Sequence, residues 1–167
     1  HLNDIAKDHP DKTLSVLRSW DRDHPRTAWI AKRALRTLVK EGHAGALTLL
    51  GAGEPAKVRI DSFIVSPERI RLGGEIRLSL ALASISRKPQ RLLVDYVIHY
   101  ARRAGGSAEK VFKWKEFDLS PGEAVVLEKR QVLRDFTTRK HHPGRHRVEV
   151  QVNGARVAED AFALDLP

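Results

Sequence analysis

The spacing of apolar residues divides the chain in two. Up to about residue 52 they recur at intervals of three and four, and beyond Gly51–Pro55 at intervals of two. Leu2, Ile5 and Ala6 predict the last turns of a helix that ends at Asp8-His9-Pro10, because proline disfavours helical geometry in the residue before it. Asp11 is the expected N-cap of a second helix, running to about Trp20 with Leu14, Val16 and Leu17 on its apolar side. A polar turn from Asp21 to Pro25 leads into a third helix, Arg26 to Glu41, stopped by Gly42. A short helix, Ala44 to Leu50, closes the segment. Two antiparallel helices, a tight turn and another helix form the unit of an α-solenoid, which cannot bury its apolar faces without neighbours. Residues 1–52 are therefore expected to be the C-terminal end of an α-solenoid.

Beyond residue 56 the alternation is that of half-buried strands. Val58, Ile60 and Phe63–Val65 begin the first, and Ile76, Leu78, Leu80 and Leu82 alternate through the next. Leu92, Val94, Tyr96, Ile98 and Tyr100 repeat the pattern, followed by Val111–Leu119, Ala124–Leu133, His146–Val152 and a last strand to Leu166. Gly73-Gly74, Gly105-Gly106-Ser107, Ser120-Pro121-Gly122-Glu123 and Asn153-Gly154 supply the turns, the last being the strongest hairpin signal. About seven short strands without helices between them predict an immunoglobulin-like antiparallel β-sandwich over residues 56–167, without a disulfide. The fold class is α+β.

The Arg26–Glu41 helix carries more than packing. Ala28, Ala31, Leu35, Leu38 and Val39 share one side, whereas Arg26, Trp29, Arg33, Arg36 and Lys40 share the other. Four cations in register without an acid suit a polyanion, since a solvated face normally mixes signs. Trp29 either offers a flat surface to a sugar or base or packs beneath a neighbouring segment. Charge sharpens the picture: 30 Lys and Arg against 21 Asp and Glu give a net +9 and a pI near 10.2, which favours nucleic acid or another anionic partner. The excess is spread over both parts, +3 in residues 1–52 and +6 in residues 53–167. The chain has no cysteine, so disulfides and thiolate metal sites are excluded. It has no apolar run long enough to span a membrane. It contains no methionine and opens on HLNDIAK, which predicts a fragment of a longer protein.

The densest charge lies in Thr138-Arg139-Lys140-His141-His142-Pro143-Gly144-Arg145-His146-Arg147, between two strands. One reading is an anion-binding loop in which Arg139, Lys140 and Arg145 project together; the other is a solvated turn. Arg87-Lys88 and Arg102-Arg103 lie in other turns, and the topology decides whether they share that end. A metal site at His141, His142 and His146 is the weaker reading, because adjacent strand residues diverge and His146 is expected to face inward. No metal and no cofactor are expected. Asp95 either faces solvent or pairs with an arginine. Asp4 either lines a concave helical surface or is simply solvated.

Several stretches resemble one family. LNDIAKDHPD at 2–11, AWIAKRALRTLVKEGHAGALTLLG at 28–51, VDYVIHY through KVFKWKEFDLSPGE at 94–123, and TTRKHHPGRHRVEVQVNG at 137–154 are similar to the C-terminal half of AlkC, a family of bacterial DNA alkylation-repair glycosylases. The resemblance implies HEAT-like repeats with an appended immunoglobulin-like domain. It implies hydrolysis of the N-glycosidic bond of N-alkylated bases such as 3-methyladenine, without base flipping. It further implies a monomeric cytoplasmic protein whose partner is double-stranded DNA carrying alkylated bases. The family's pocket residues lie mostly on repeats that would precede His1, so only Asp4 carries over as a catalytic carboxylate, to stabilise the developing sugar cation or position water. Arg26, Trp29, Arg33, Arg36 and Lys40 would hold DNA on the helical side, and Arg139, Lys140 and Arg145 on the sandwich side. On this reading the fragment alone is inactive. The alternative is a non-enzymatic protein-interaction module, since immunoglobulin-like folds host many functions.

Overall fold

The computed structural model describes residues 1–167. Five short helices come first: α1 (Leu2–Asp8), α2 (Pro10–Arg18), α3 (Pro25–Ala34), α4 (Arg36–Lys40) and α5 (Ala44–Leu49). Ala6, Leu14, Leu17, Ala31, Ala34, Leu35, Leu38 and Ala46 form their common core. Ile5, Val16 and Ile30 remain exposed, so part of the helical apolar surface stays uncovered.

Two local expectations are corrected here. Asp11 is not the cap of α2: the helix starts a residue earlier, at Pro10, whose fixed φ and missing N–H suit the first helical position. Arg26–Glu41 is not one helix but two, broken at Leu35, where φ is −93° and ψ is 2°. The break has a partner elsewhere in the chain. Asn3 Oδ1 accepts the Thr37 N–H at 3.1 Å, satisfying a donor at the start of α4 as a cap would.

Eight strands follow: β1 (Val58–Ser66), β2 (Arg69–Arg71), β3 (Glu75–Ser84), β4 (Gln90–Ala101), β5 (Ser107–Leu119), β6 (Ala124–Val132), β7 (Gly144–Val152) and β8 (Ala155–Asp165). They form a three-stranded sheet, β1-β3-β6, facing a five-stranded sheet, β2-β8-β7-β4-β5. The seven longer strands are those that the alternation predicts. The eighth, β2, is three residues long and pairs in parallel with β8. Ile76, Leu78, Tyr96, Ile98, Val148 and Phe162 fill one part of the sandwich core. Leu80, Leu82, Leu92, Val94, Leu127 and Val150 fill the other.

The helices pack on the outer face of the five-stranded sheet. Leu47 and Ala52 bury Leu93 of β4, and Gln151 Nε2 donates to the Lys40 carbonyl at 3.1 Å. At Asn153-Gly154 both residues adopt positive φ, 47° and 82°, as a tight two-residue hairpin requires. Asn153 secures the turn: its Oδ1 accepts from the Leu93 N–H at 2.9 Å, and its Nδ2 donates to the Arg91 carbonyl at 3.1 Å. Gly154 then meets Gly42, which closes α4 with a φ of 74°. The approach is so close that a Cβ on Gly154 would stand 3.0 Å from the Gly42 Cα.

Candidate nucleic-acid interface

The α3 helix begins with Pro25 at its first position, and the His24 Nδ1 accepts from the Arg26 N–H at 3.3 Å. Trp29 is 60 % exposed, so it is not buried under a neighbouring segment. The Arg33 guanidinium lies 4.9 Å from the centre of the Trp29 ring. Trp29, Arg33 and Arg36 form a ridge between two hollows. One, of about 400 Å³, also contains Asp4 and Asn3. The other, of about 340 Å³, separates the helices from the five-stranded sheet and contains Lys40, Asp95 and Glu116. The structure thus brings Trp29, Arg33, Arg36 and Lys40 together, whereas Arg26 lines neither hollow. Asp4 sits beside the ridge but is well exposed and pairs with Lys7 at 3.2 Å.

Two carboxylates in the cleft behave oppositely. Burial alone would raise the Glu116 carboxyl. It accepts, however, from Arg91 Nη2 at 2.7 Å, Lys113 Nζ at 3.0 Å and Lys32 Nζ at 3.0 Å, and these bonds bring its pKa down to about 2. Lys32 belongs to α3, so the cluster ties the helices to the sandwich. Asp95 does not pair with an arginine. It is buried, and burial outweighs the nearby charges of Lys40 and Lys113, raising its pKa to about 6. The folded state therefore binds the Asp95 proton more tightly than the unfolded chain, and stability falls as pH rises from about 4 to about 6. Asp95→Asn should raise stability at pH 7.5 by about 2 kcal/mol and leave it nearly unchanged at pH 4. Thermal melts at the two values check this, and a lower melting temperature at pH 7.5 would contradict it.

At the far end of the sandwich, residues 133–143 connect β6 to β7. The His141 N–H donates to Asp135 Oδ1 at 2.8 Å, and the His141 ring lies 3.2 Å from the same oxygen. With Lys140 Nζ at 3.6 Å, these contacts hold the Asp135 carboxyl below its ordinary range. Arg139 folds back, its guanidinium 5.2 Å from the Tyr100 ring centre. Arg145 is exposed at the start of β7. Arg139, Lys140 and Arg145 thus occupy one end, but the first two rest on internal partners. The histidines have packing roles. His146 faces inward as expected, stacks on Phe162 at 5.2 Å, and its Nε2–H donates to the His142 carbonyl at 3.0 Å. His141 meets the Tyr100 ring edge-on at 5.1 Å.

Topology settles which other turns share this end. Ala101 of β4 pairs with Ser107, and His99 pairs with Arg147, so Arg102-Arg103 lies beside the 133–143 loop. Arg87-Lys88 lies at the opposite end, where Val58 pairs with Ser84 and Lys88 approaches Glu54 at 4.0 Å.

The sequence reading missed the lysines of β5. Lys110 sits 4.9 Å from the Phe112 ring centre, Lys115 sits 5.4 Å from that of Phe117, and Lys113 lies in the cleft. Burial, then Arg139, then Lys40 lower the Lys110 pKa, which places this lysine within the field of both basic regions. The signal was legible as lysines interleaved with aromatics in KVFKWKEF. Elsewhere on the sheet the charges cancel locally. Glu149 accepts from Arg156 at 2.6 Å and forms an ion pair with Arg147 at 3.1 Å.

Residues 59–166 match the family described as the C-terminal Ig-like domain of the uncharacterised protein YhaZ. The uncharacterized protein YhaZ of Bacillus subtilis (strain 168) is 34 % identical over 154 residues, 92 % of this chain and 43 % of that protein. A solved structure of the Pseudomonas fluorescens alkylpurine DNA glycosylase AlkC, bound to DNA containing an abasic site analog, superposes with a TM-score of 0.96. It is 50 % identical over 99 % of this chain and 46 % of that one. The chain thus spans less than half the length of either protein. A β-glucosidase of Erythrobacter marinus, 15 % identical over 66 % of this chain and 16 % of that one, shares the sandwich fold alone, with a TM-score of 0.57. No helix is long and apolar enough to cross a membrane.

Proposed function

Since the chain belongs to the family of YhaZ C-terminal Ig-like domains, and half its residues are identical to a glycosylase bound to DNA, we propose that it is the DNA-gripping part of an alkylated-base glycosylase. The observation that carries this reading is the line of cations from the α3–α4 ridge, along Lys113 and Lys110 of β5, to the Arg139–Arg145 end. Its largest aromatic, Trp29, is left open beside Arg33. Exposed cations on one continuous surface release counterions when they meet phosphates, and an open indole stacks on sugar or base. Residues 1–52 serve as the end of a HEAT-like repeat array and residues 56–167 as the sandwich that holds the duplex from a second side. The reaction is hydrolysis of the N-glycosidic bond of an N-alkylated purine or pyrimidine, carried out by a monomeric cytoplasmic protein. Asp4, beside Trp29, Arg33 and Arg36, is placed to favour positive charge on the sugar, with the rest of the pocket in regions of the relatives that this chain does not span.

Duplex affinity measured against salt tests the proposal. The logarithm of affinity should fall linearly with the logarithm of salt, with a slope of about −0.9 per phosphate neutralised. At least five contacts give a slope steeper than about −4. Weak, salt-insensitive binding to DNA, with a protein partner that survives high salt, would favour the interaction-module reading instead.

A further inference from the structure

The end of the sandwich that carries Arg139 also carries Phe136, an aromatic ring that packs into no core. It is 51 % exposed. The segment holding it is built rather than loose. The Phe136 N–H donates to the Arg139 carbonyl at 2.9 Å, and the Arg139 N–H donates back to the Phe136 carbonyl at 3.2 Å, closing a tight two-residue turn over Thr137 and Thr138. Below it, Asp135 accepts from the His141 N–H at 2.8 Å and pins the two sides of the loop together. The Arg134 guanidinium lies 5.3 Å from the Phe136 ring centre, which orients the ring without covering it. Behind the ring a cleft of about 400 Å³ is lined by Tyr100, Lys110, Phe112 and Arg139.

The chemistry of this tip is an apolar plate surrounded by cations. Arg134 lies over the ring, Arg139 and Lys110 line the cleft behind it with Val132 as the one other well-exposed apolar side chain, and Lys140 pairs with Asp135, the acid within the loop. A protein-binding aromatic normally sits in a patch with other apolar groups and few charges. A polyanion with flat apolar units between its charges matches this tip better, and duplex nucleic acid is that polymer. Apolar side chains presented this way enter between base pairs and open the step, while flanking cations take the phosphates on either side.

We infer that Phe136 is a wedge that enters a base step of the bound duplex and holds it partly unstacked, with Arg134 and Arg139 on the adjoining phosphates. The inference rests on the proposed DNA grip and adds to it a residue that acts on the bases rather than on the charge. Its contribution is stacking, so it changes affinity and base geometry but not the number of counterions released.

The test uses the whole chain and a duplex that carries a stable abasic analogue, with 2-aminopurine placed next to it as a reporter of unstacking. Binding by the parent chain should raise the 2-aminopurine fluorescence about threefold, as expected when a step is opened. Phe136→Ala should abolish that rise and weaken binding about tenfold, with a salt slope equal to the parent's. Phe136→Leu, which keeps an apolar wedge, should restore most of the rise. The ring is exposed, so both variants should melt as the parent does. A Phe136→Ala protein with the parent's fluorescence response and affinity would overturn the wedge. A parent that binds with a steep salt slope but gives no fluorescence rise would overturn the wedge and leave the grip standing. A parent that does not bind the duplex at any salt concentration would overturn both.

Discussion

Exchanging Arg139, Lys140 and Arg145 together for glutamine is expected to lower duplex affinity roughly 500-fold at 0.1 M salt and to flatten the salt slope by about 2.7. The magnitude follows from three released counterions at about 0.9 each. None of the three side chains fills the core, so the melting temperature should stay close to the parent's. Arg139 and Lys140 first leave Tyr100 and Asp135 to reach phosphates, and a slope change of about 1.8 instead of about 2.7 would mean that one of them stays at home. The double exchange Arg87→Gln with Lys88→Gln, at the opposite end, provides the contrast, since topology separates that turn from the basic loop. An unchanged slope in the triple variant would remove the loop from the interface.

Glu116→Gln should destabilise the chain by about 3 kcal/mol at pH 7. The wild-type carboxylate gains more from Arg91, Lys113 and Lys32 than it loses by burial, and its pKa falls from 4.5 to about 2. That stabilisation is complete above the unfolded pKa and disappears as pH falls through the folded one. The difference between variant and wild type should therefore be full at pH 6 and above, shrink below about pH 4.5, and vanish near pH 2. Chemical denaturation at a series of pH values reads it directly. A difference that persists at pH 2 would show that glutamine disturbs packing rather than charge.

These two sites differ in how far the sequence could reveal them. The basic stretch at 138–147, the end of this loop and the start of β7, was visible because its charge is local: four cations and three histidines lie within ten residues. Its internal attachments were not visible, because Tyr100 arrives from β4. Glu116 gave no signal, since Arg91 reaches it only when β4 pairs with β5, and Lys32 only when the helices dock. Strand β3 was legible because alternation in Ile76–Leu82 reflects one buried and one more exposed face, whereas β4, expected to be half-buried, is covered on both faces from Leu92 to Tyr100, which its extra apolar residues Leu93 and Val97 accommodate. Strand β2 was not, because three residues cannot display a period. The start of α4 after the break at Leu35 is capped by Asn3, more than thirty positions away, and no window centred on the helix could contain it. Asp95 looked ambiguous for the same reason: its surroundings are assembled from Lys40, Lys113 and Glu116.

The meeting of Gly42 with Gly154 bears on how such a chain changes over generations. At that joint main chain lies against main chain, with the Leu47 side chain packed beside Gly154. Two positions that lack a side chain thus help to set the angle between the two parts, beside the Lys32–Glu116 pair and the packing of Leu47 and Ala52 on Leu93. Cations that touch neither this joint nor Glu116 can be redistributed, and Trp29 and Phe136 replaced, without altering the span between the two basic regions. Chemistry at the surface can diverge while the frame that spaces it is passed on intact.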